Sequence, residues 1–190
     1  TLWDTYGVHA PIWGHVYDTT LHDHTALTGP IQLVALVEPR IEPEIVFGLA
    51  RVPEPGMDEA ALFGCLDWVA QGFEIVQSLV PGWRFAAPDT VAAFGLHGLL
   101  VLGERVRIGP GSARGWIDGL AGFSVELLRN GAIADRGSAR NVLRGGPLAA
   151  LGHLVDVLAK DPGSPPLAAG EIVSTGTLTD ALPVASGQVW

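Results

Sequence analysis

Hydrophobic residues in this chain gather in short runs whose spacing alternates between two periods. Ile31-Gln-Leu-Val-Ala-Leu-Val37 and Ile41 to Leu49 are rich in β-branched residues, with Glu38-Pro39 between them and the turn residues Pro53-Glu-Pro-Gly56 after them. Both runs are expected to be strands. From Met57 to Val69 the period lengthens: Leu62, Cys65, Leu66 and Val69 recur three or four residues apart behind Asp58, a capping residue, which predicts a helix. Glu74 is expected to begin the element that follows.

Further on, Gly95 to Leu102 reads as a strand that ends in Gly103-Glu-Arg-Val-Arg-Ile108, and Phe123 to Ile133 reads as a hairpin turning at Asn130-Gly131. Asn-Gly is a strong two-residue hairpin signal because both residues tolerate positive φ. Leu148, Leu151, Val155 and Leu158 lie on one helical stripe, Asp161-Pro-Gly-Ser-Pro-Pro166 stops that helix, and Ile172 to Leu178 reads as a last strand. The order of elements predicts one α+β domain over residues 1–190, with a few helices packed on a coiled antiparallel or mixed sheet. Thr1 is not a Met, and Val189-Trp190 reads as the start of another strand. The natural protein is therefore expected to extend past both ends.

Composition narrows the function. A chain of 190 residues, 48% hydrophobic and 16% charged, can bury a full core. Its formal net charge of −9, with 11 Lys and Arg and no basic run, argues against a nucleic-acid or anionic-membrane surface. Cys65 is the sole cysteine, which leaves no intramolecular disulfide and no thiolate metal cage. No stretch approaches the ~20 apolar residues of a membrane span, and Thr1 opens without the regions of a signal peptide. The expected location is cytoplasmic.

The candidate chemistry lies in carboxylates set among apolar neighbours. Alternate side chains of a strand share a face about 6 to 7 Å apart, so Glu42 and Glu44 point the same way, and Glu74 in Phe73-Glu-Ile-Val76 is a third acid in a similar setting. Ile41, Ile45, Val46, Phe47, Ile75 and Val76 make unpaired burial of such acids costly, whereas a hard divalent cation accepts oxygen ligands and keeps waters for a substrate to displace. The other reading is two strands that turn their acids to a solvated face; spacing alone leaves both open. His22-Asp-His24 offers two imidazoles but lies in a polar stretch, and His97 and His153 fall inside apolar patterns as hydrogen-bonded or partly exposed histidines. No Gly-x-Ser-x-Gly elbow is present, and Gly109-Pro-Gly-Ser-Ala-Arg-Gly115 lacks the P-loop lysine and reads as a loop.

Six blocks in order carry a family resemblance: Pro39-Arg-Ile-Glu-Pro-Glu-Ile-Val-Phe47, Phe73-Glu-Ile-Val-Gln-Ser78, Asp89-Thr-Val-Ala92, Leu128-Arg-Asn-Gly131, Gly145-Gly-Pro-Leu148 and Ala169-Gly-Glu-Ile-Val-Ser-Thr-Gly176. From about Gly7 to Val184 the chain resembles the 2-keto-4-pentenoate hydratase and 4-oxalocrotonate decarboxylase group of the fumarylacetoacetate hydrolase superfamily. The resemblance implies an α+β fold, a mixed β-sandwich roll with a few packed helices, in which Glu42, Glu44 and Glu74 ligate Mg²⁺ or Mn²⁺. It implies a small 2-oxo acid as substrate, chelated so that negative charge arriving as an enolate is stabilised. Asp18, in Gly14-His-Val-Tyr-Asp18, matches an acid that positions water or carries a proton, or else serves as a turn residue. Thr175 and Gly176 match a Ser/Thr-Gly pair that binds the substrate carboxylate, or else form a tight strand end. A homo-oligomer, or association with a sister hydratase or decarboxylase subunit, is also implied.

The chain departs from the family pattern in three places. The family lysine falls in a segment before Thr1, and the only lysine here is Lys160. Relatives carry Asp-Ser-Arg where this chain has Gln77-Ser78-Leu79, and Asp-Asn-Ala-Ser-Ser-Gly where it has Ala93-Phe-Gly-Leu-His-Gly98. The intact acid trio favours a metal-dependent lyase of hydratase or decarboxylase type. The altered polar blocks favour a catalytically silent subunit or binding protein, and hydrolysis of an acylpyruvate C–C bond is a third reading.

Overall fold

Arg40–Leu49 is the strand around which the chain is organised. The computed structural model describes residues 10–109 and 113–190; the Thr1 end and residues 110–112 of the glycine-rich loop lie outside them. In chain order the elements are β1 (Leu21–Asp23), β2 (Arg40–Leu49), α1 (Glu59–Phe63), β3 (Leu66–Val76), α2 (Ala87–Ala92), β4 (His97–Arg107), α3 (Ala113–Gly122), β5 (Ser124–Arg129), β6 (Ala132–Ser138), α4 (Pro147–Leu158), β7 (Ile172–Ser174) and β8 (Leu182–Pro183). The main sheet runs β1-β4-β3-β2-β7, with β8 also on β2, and β5-β6 form a separate ribbon. Only β1–β4 is parallel, so the sheet is mixed.

One edge of β2 pairs with β3 along its whole length, while the other is shared by β7 at Val46–Gly48 and β8 at Arg40–Ile41. Between them the chain fills in with single bonds: Thr175 N–H donates to the Ile45 carbonyl and Leu178 N–H to the Pro43 carbonyl. Because the Pro43 carbonyl points to this edge, its missing N–H would point there too, and the β2–β3 ladder loses nothing to the proline.

The two faces of β2 have different fates. Ile45, Phe47 and Leu49 pack against Leu148, Leu151 and Val155 of α4, the stripe predicted from spacing. Each fully buried side chain of this kind contributes about 1.5–3 kcal/mol. The opposite face carries Val46 against Leu100, Leu102 and Trp68, with Glu42 and Glu44 further along. The hairpin also forms as expected, Asn130 and Gly131 taking φ of 52° and 81°.

Five expectations are corrected. Residues 31–37 are not a strand: Ile31, Leu33 and Leu36 pack down on Ile41, Ile75 and Leu99 while Val34 is 94% exposed, so the run covers the core as a loop. The Met57–Val69 helix is only Glu59–Phe63; Asp58 does cap it, accepting from Ala61 N–H at 2.8 Å. Leu66 to Val69 belong to β3, where Trp68 and Val69 suit a pleated surface better than a helix. Glu74 therefore lies near the end of β3, not at the start of an element. The strand expected over Ile172–Leu178 stops at Ser174 and is followed by β8, and no strand forms at Val189-Trp190. Among the described residues no helix is long and apolar enough to cross a membrane.

Candidate metal centre

The register of the sheet brings the three glutamates together. Glu42 and Glu74 are direct partners across the β2–β3 pair, and Glu44 lies two residues along the same face, opposite Gly72. Gly72 is needed there for close packing, because a Cβ would meet Val46 Cγ2 at 2.9 Å and the Val101 carbonyl at 3.1 Å. Each acid offers a carboxylate oxygen within 4.8 Å of the other two, the one such cluster among the described residues. The solvated-face reading does not hold for Glu44, which is 2% exposed, while Glu42 and Glu74 are half-buried.

Burial dominates the electrostatics of the trio. Burial pushes the Glu44 carboxyl up to about 8, with Glu74 adding to the rise and the Ser174 hydroxyl and Gly176 amide opposing it. Burial likewise raises Glu74 to about 7, against a hydrogen bond shared with Glu44. Glu42 is raised well above its ordinary value by burial and then by the charges of Glu44 and Glu74, with Arg40 acting in the opposite sense. Three carboxyl groups held this close, in a setting this dry, fit a divalent cation: an oxygen-only donor set is what a hard ion takes, and its charge removes their mutual repulsion.

Neighbouring groups fix the trio. Ser174 Oγ–H and Gly176 N–H both donate to Glu44 Oε2, the latter at 2.9 Å. His97, from the start of β4, meets Glu74 Oε1 through Nδ1 at 2.6 Å and Thr20 Oγ1 through Nε2 at 2.8 Å. A cavity of about 630 Å³ opens on Glu44 and Glu74, a volume suited to a small organic ligand. Asp18 lies on its wall, in the turn closed by Thr20 N–H to the Tyr17 carbonyl at 3.0 Å. Thr175 and Gly176 also line it, although the Thr175 hydroxyl donates to the Ile45 carbonyl at 2.9 Å. Sequence reasoning passed over Ser174 and the Glu74–His97 contact. Ser174 carried a signal, standing two residues before Gly176, whereas nothing local to His97 reveals a partner 23 residues away.

His22 and His24 do not join the cluster; His24 Nδ1 bonds the Leu102 carbonyl at 3.2 Å instead. His153 lines the cavity from α4 with Nε2 buried and unpartnered. Lys160 is exposed, and no lysine or arginine lines the cavity among the described residues.

The chain has relatives. The chain is 30% identical over 185 residues to a 2-hydroxyhexa-2,4-dienoate hydratase of Comamonas testosteroni, covering 97% of this chain and 66% of the relative. The fumarylacetoacetate hydrolase superfamily is therefore its family. Within it the chain belongs to the 2-keto-4-pentenoate hydratase and 4-oxalocrotonate decarboxylase group. A 2-keto-4-pentenoate hydratase of Dechloromonas aromatica is 33% identical over 154 residues, 80% of this chain and 55% of that protein. Among solved structures, 4-oxalocrotonate decarboxylase from Pseudomonas putida G7, complexed with calcium and acetate, superposes with a TM-score of 0.80 at 25% identity, covering 98% of this chain and 66% of that one. The α+β superfamily fold expected from the sequence is thus the observed one. No family model matches the chain. The chain spans between half and two thirds of the length of these relatives.

Proposed function

We propose that this chain carries the active site of a divalent-metal-dependent lyase that acts on a small 2-oxo acid as a hydratase or decarboxylase, and that it works in the cytoplasm as a single domain. The observation that carries the reading is the convergence of Glu42, Glu44 and Glu74 beside a cavity. The named activities of the relatives, and the magnesium or calcium complexed with the decarboxylase, support it.

Glu42, Glu44 and Glu74 would hold Mg²⁺ or Mn²⁺. A bound cation of this kind supplies the electrophile that draws charge from a chelating 2-oxo acid. Ser174 and Gly176 keep Glu44 turned to the centre. We assign Thr175 and Gly176 to the carboxylate end of the substrate, at the wall of the cavity next to Glu44. Asp18, across the same cavity, is the group we assign to proton transfer or to orienting water.

The test is turnover of 2-hydroxypentadienoate, 4-oxalocrotonate or an acylpyruvate before and after EDTA. Activity is expected to vanish on chelation and to return with Mg²⁺ or Mn²⁺, and borohydride is expected to trap no adduct. Turnover that survives exhaustive chelation would overturn the reading. The absence of lysine and arginine from the described cavity wall favours a second reading, a catalytically silent subunit. That reading takes over if none of the three substrates reacts, with metal present, in a chain that includes residues preceding Thr1. Acylpyruvate turnover alone would instead identify a C–C hydrolase.

A further inference from the structure

The Glu74 carboxylate is held by a side chain that the sheet does not require. His97 stands at the first position of β4, and its ring connects two elements that no backbone bond joins: the ligand-bearing end of β3 and the Tyr17–Thr20 turn. The His97 side chain is 5% exposed.

The hydrogen-bond polarity of this link follows from the chemistry at its ends. A carboxylate on a cation can only accept, so the Nδ1 facing Glu74 carries the hydrogen. In a neutral ring Nε2 is then the acceptor, and the Thr20 hydroxyl, 2.8 Å away, shares its one hydrogen between Nε2 and the Tyr17 carbonyl at 3.0 Å. Thr20 is itself placed twice over: its carbonyl accepts Leu100 N–H at 2.9 Å, and its Oγ1 lies 3.3 Å from the Tyr17 N–H that donates to it. The turn is thereby pinned to the strand that carries His97.

We propose that His97 is a positioning residue for the metal centre, holding Glu74 in its ligating orientation with the ring oriented in turn by Thr20. The inference rests on the assignment of Glu74 as a cation ligand. Because Asp18 lies within the same turn as Thr20, one imidazole sets both the third ligand and the segment bearing the proposed proton carrier.

Mn²⁺ titration of the whole chain, with free ion counted by electron paramagnetic resonance, separates this inference from the reading beneath it. The wild type is expected to bind one Mn²⁺ and E44Q none. H97A is expected to weaken binding about 10- to 100-fold, the usual effect of removing a group that orients a ligand. H97N, whose amide N–H can replace Nδ1–H, is expected to recover most of that loss, and T20V to show a smaller loss that vanishes in the H97A background. Should H97A fail to fold, T20V, nearly isosteric with the native residue, reads the same link. Wild-type affinity in both H97A and T20V, or H97N as weak as H97A, would overturn the positioning role and leave the metal centre intact. A wild type that binds no Mn²⁺ would overturn both.

Discussion

Glu42 and Glu74 face each other directly across the β2–β3 ladder, an arrangement that ordinarily destabilises a sheet because like charges meet at about 5 Å. A strand pair that keeps this contact, with Glu44 beside it, is poised for a cation.

Mg²⁺ or Mn²⁺ should therefore raise the unfolding temperature, since a ligand held only by the folded state adds RT ln(1 + [L]/Kd), about 2.7 kcal/mol at a hundredfold excess over Kd. Differential scanning calorimetry with and without millimolar ion measures it. Glu44→Gln should abolish the shift; an unchanged shift in that variant means the ion binds elsewhere.

The metal-free protein should lose stability as pH rises. Glu44 and Glu74 sit at about 8 and about 7 in the folded chain against an ordinary 4.5, so between these limits the folded state holds more protons than the unfolded one. Unfolding free energy then falls with pH across that window and the contribution is lost above about 8. Urea melts in EDTA between about pH 5 and about pH 8 report this slope, and saturating Mn²⁺ should flatten it by stabilising the ionised carboxylates. A midpoint that climbs with pH in EDTA would contradict the burial of the trio.

Self-association is expected. Val34 is 94% and Leu79 65% exposed, large apolar side chains that an isolated domain leaves in water. Light scattering at micromolar concentration should give a mass above the 19.9 kDa of one chain; a monomer mass would count against it.

Leu151→Ala should cost about 2–5 kcal/mol, the range for truncating a fully buried leucine, because Leu151 is 0% exposed between α4 and the sheet. Chemical denaturation measures the loss. A cost below about 1 kcal/mol would mean that α4 does not close the core.

Much of this was legible in the sequence where one period dominated. The α4 stripe, the Asn130-Gly131 turn and the shared face of Glu42 and Glu44 are each set by local rules, and each formed. Leu66 to Val69 misled because their three-residue spacing fits a helix while their β-branched and aromatic members fit a strand, and pairing with β2 and β4 decided between them. Residues 31–37 misled because an apolar run without alternation carries no information about which face is buried. The acid trio was legible as a set of residue types, but the His97–Glu74 contact was not, since register between β3 and β4 is a tertiary choice that no single segment encodes.

The Glu44 carboxylate takes its hydrogen bonds from Ser174 and Gly176, 130 and 132 positions further along the chain. The surroundings of the acid trio are thus completed by a segment far along the chain. During synthesis, β2, β3 and β4 can pair long before β7 leaves the ribosome, and until it arrives Glu44 stands in an open edge without its donors. Loop closure over such a span is slow relative to local pairing. The surroundings of Glu44 therefore depend on a contact of long sequence separation, and a chain ending before Ile172 lacks both of its donors.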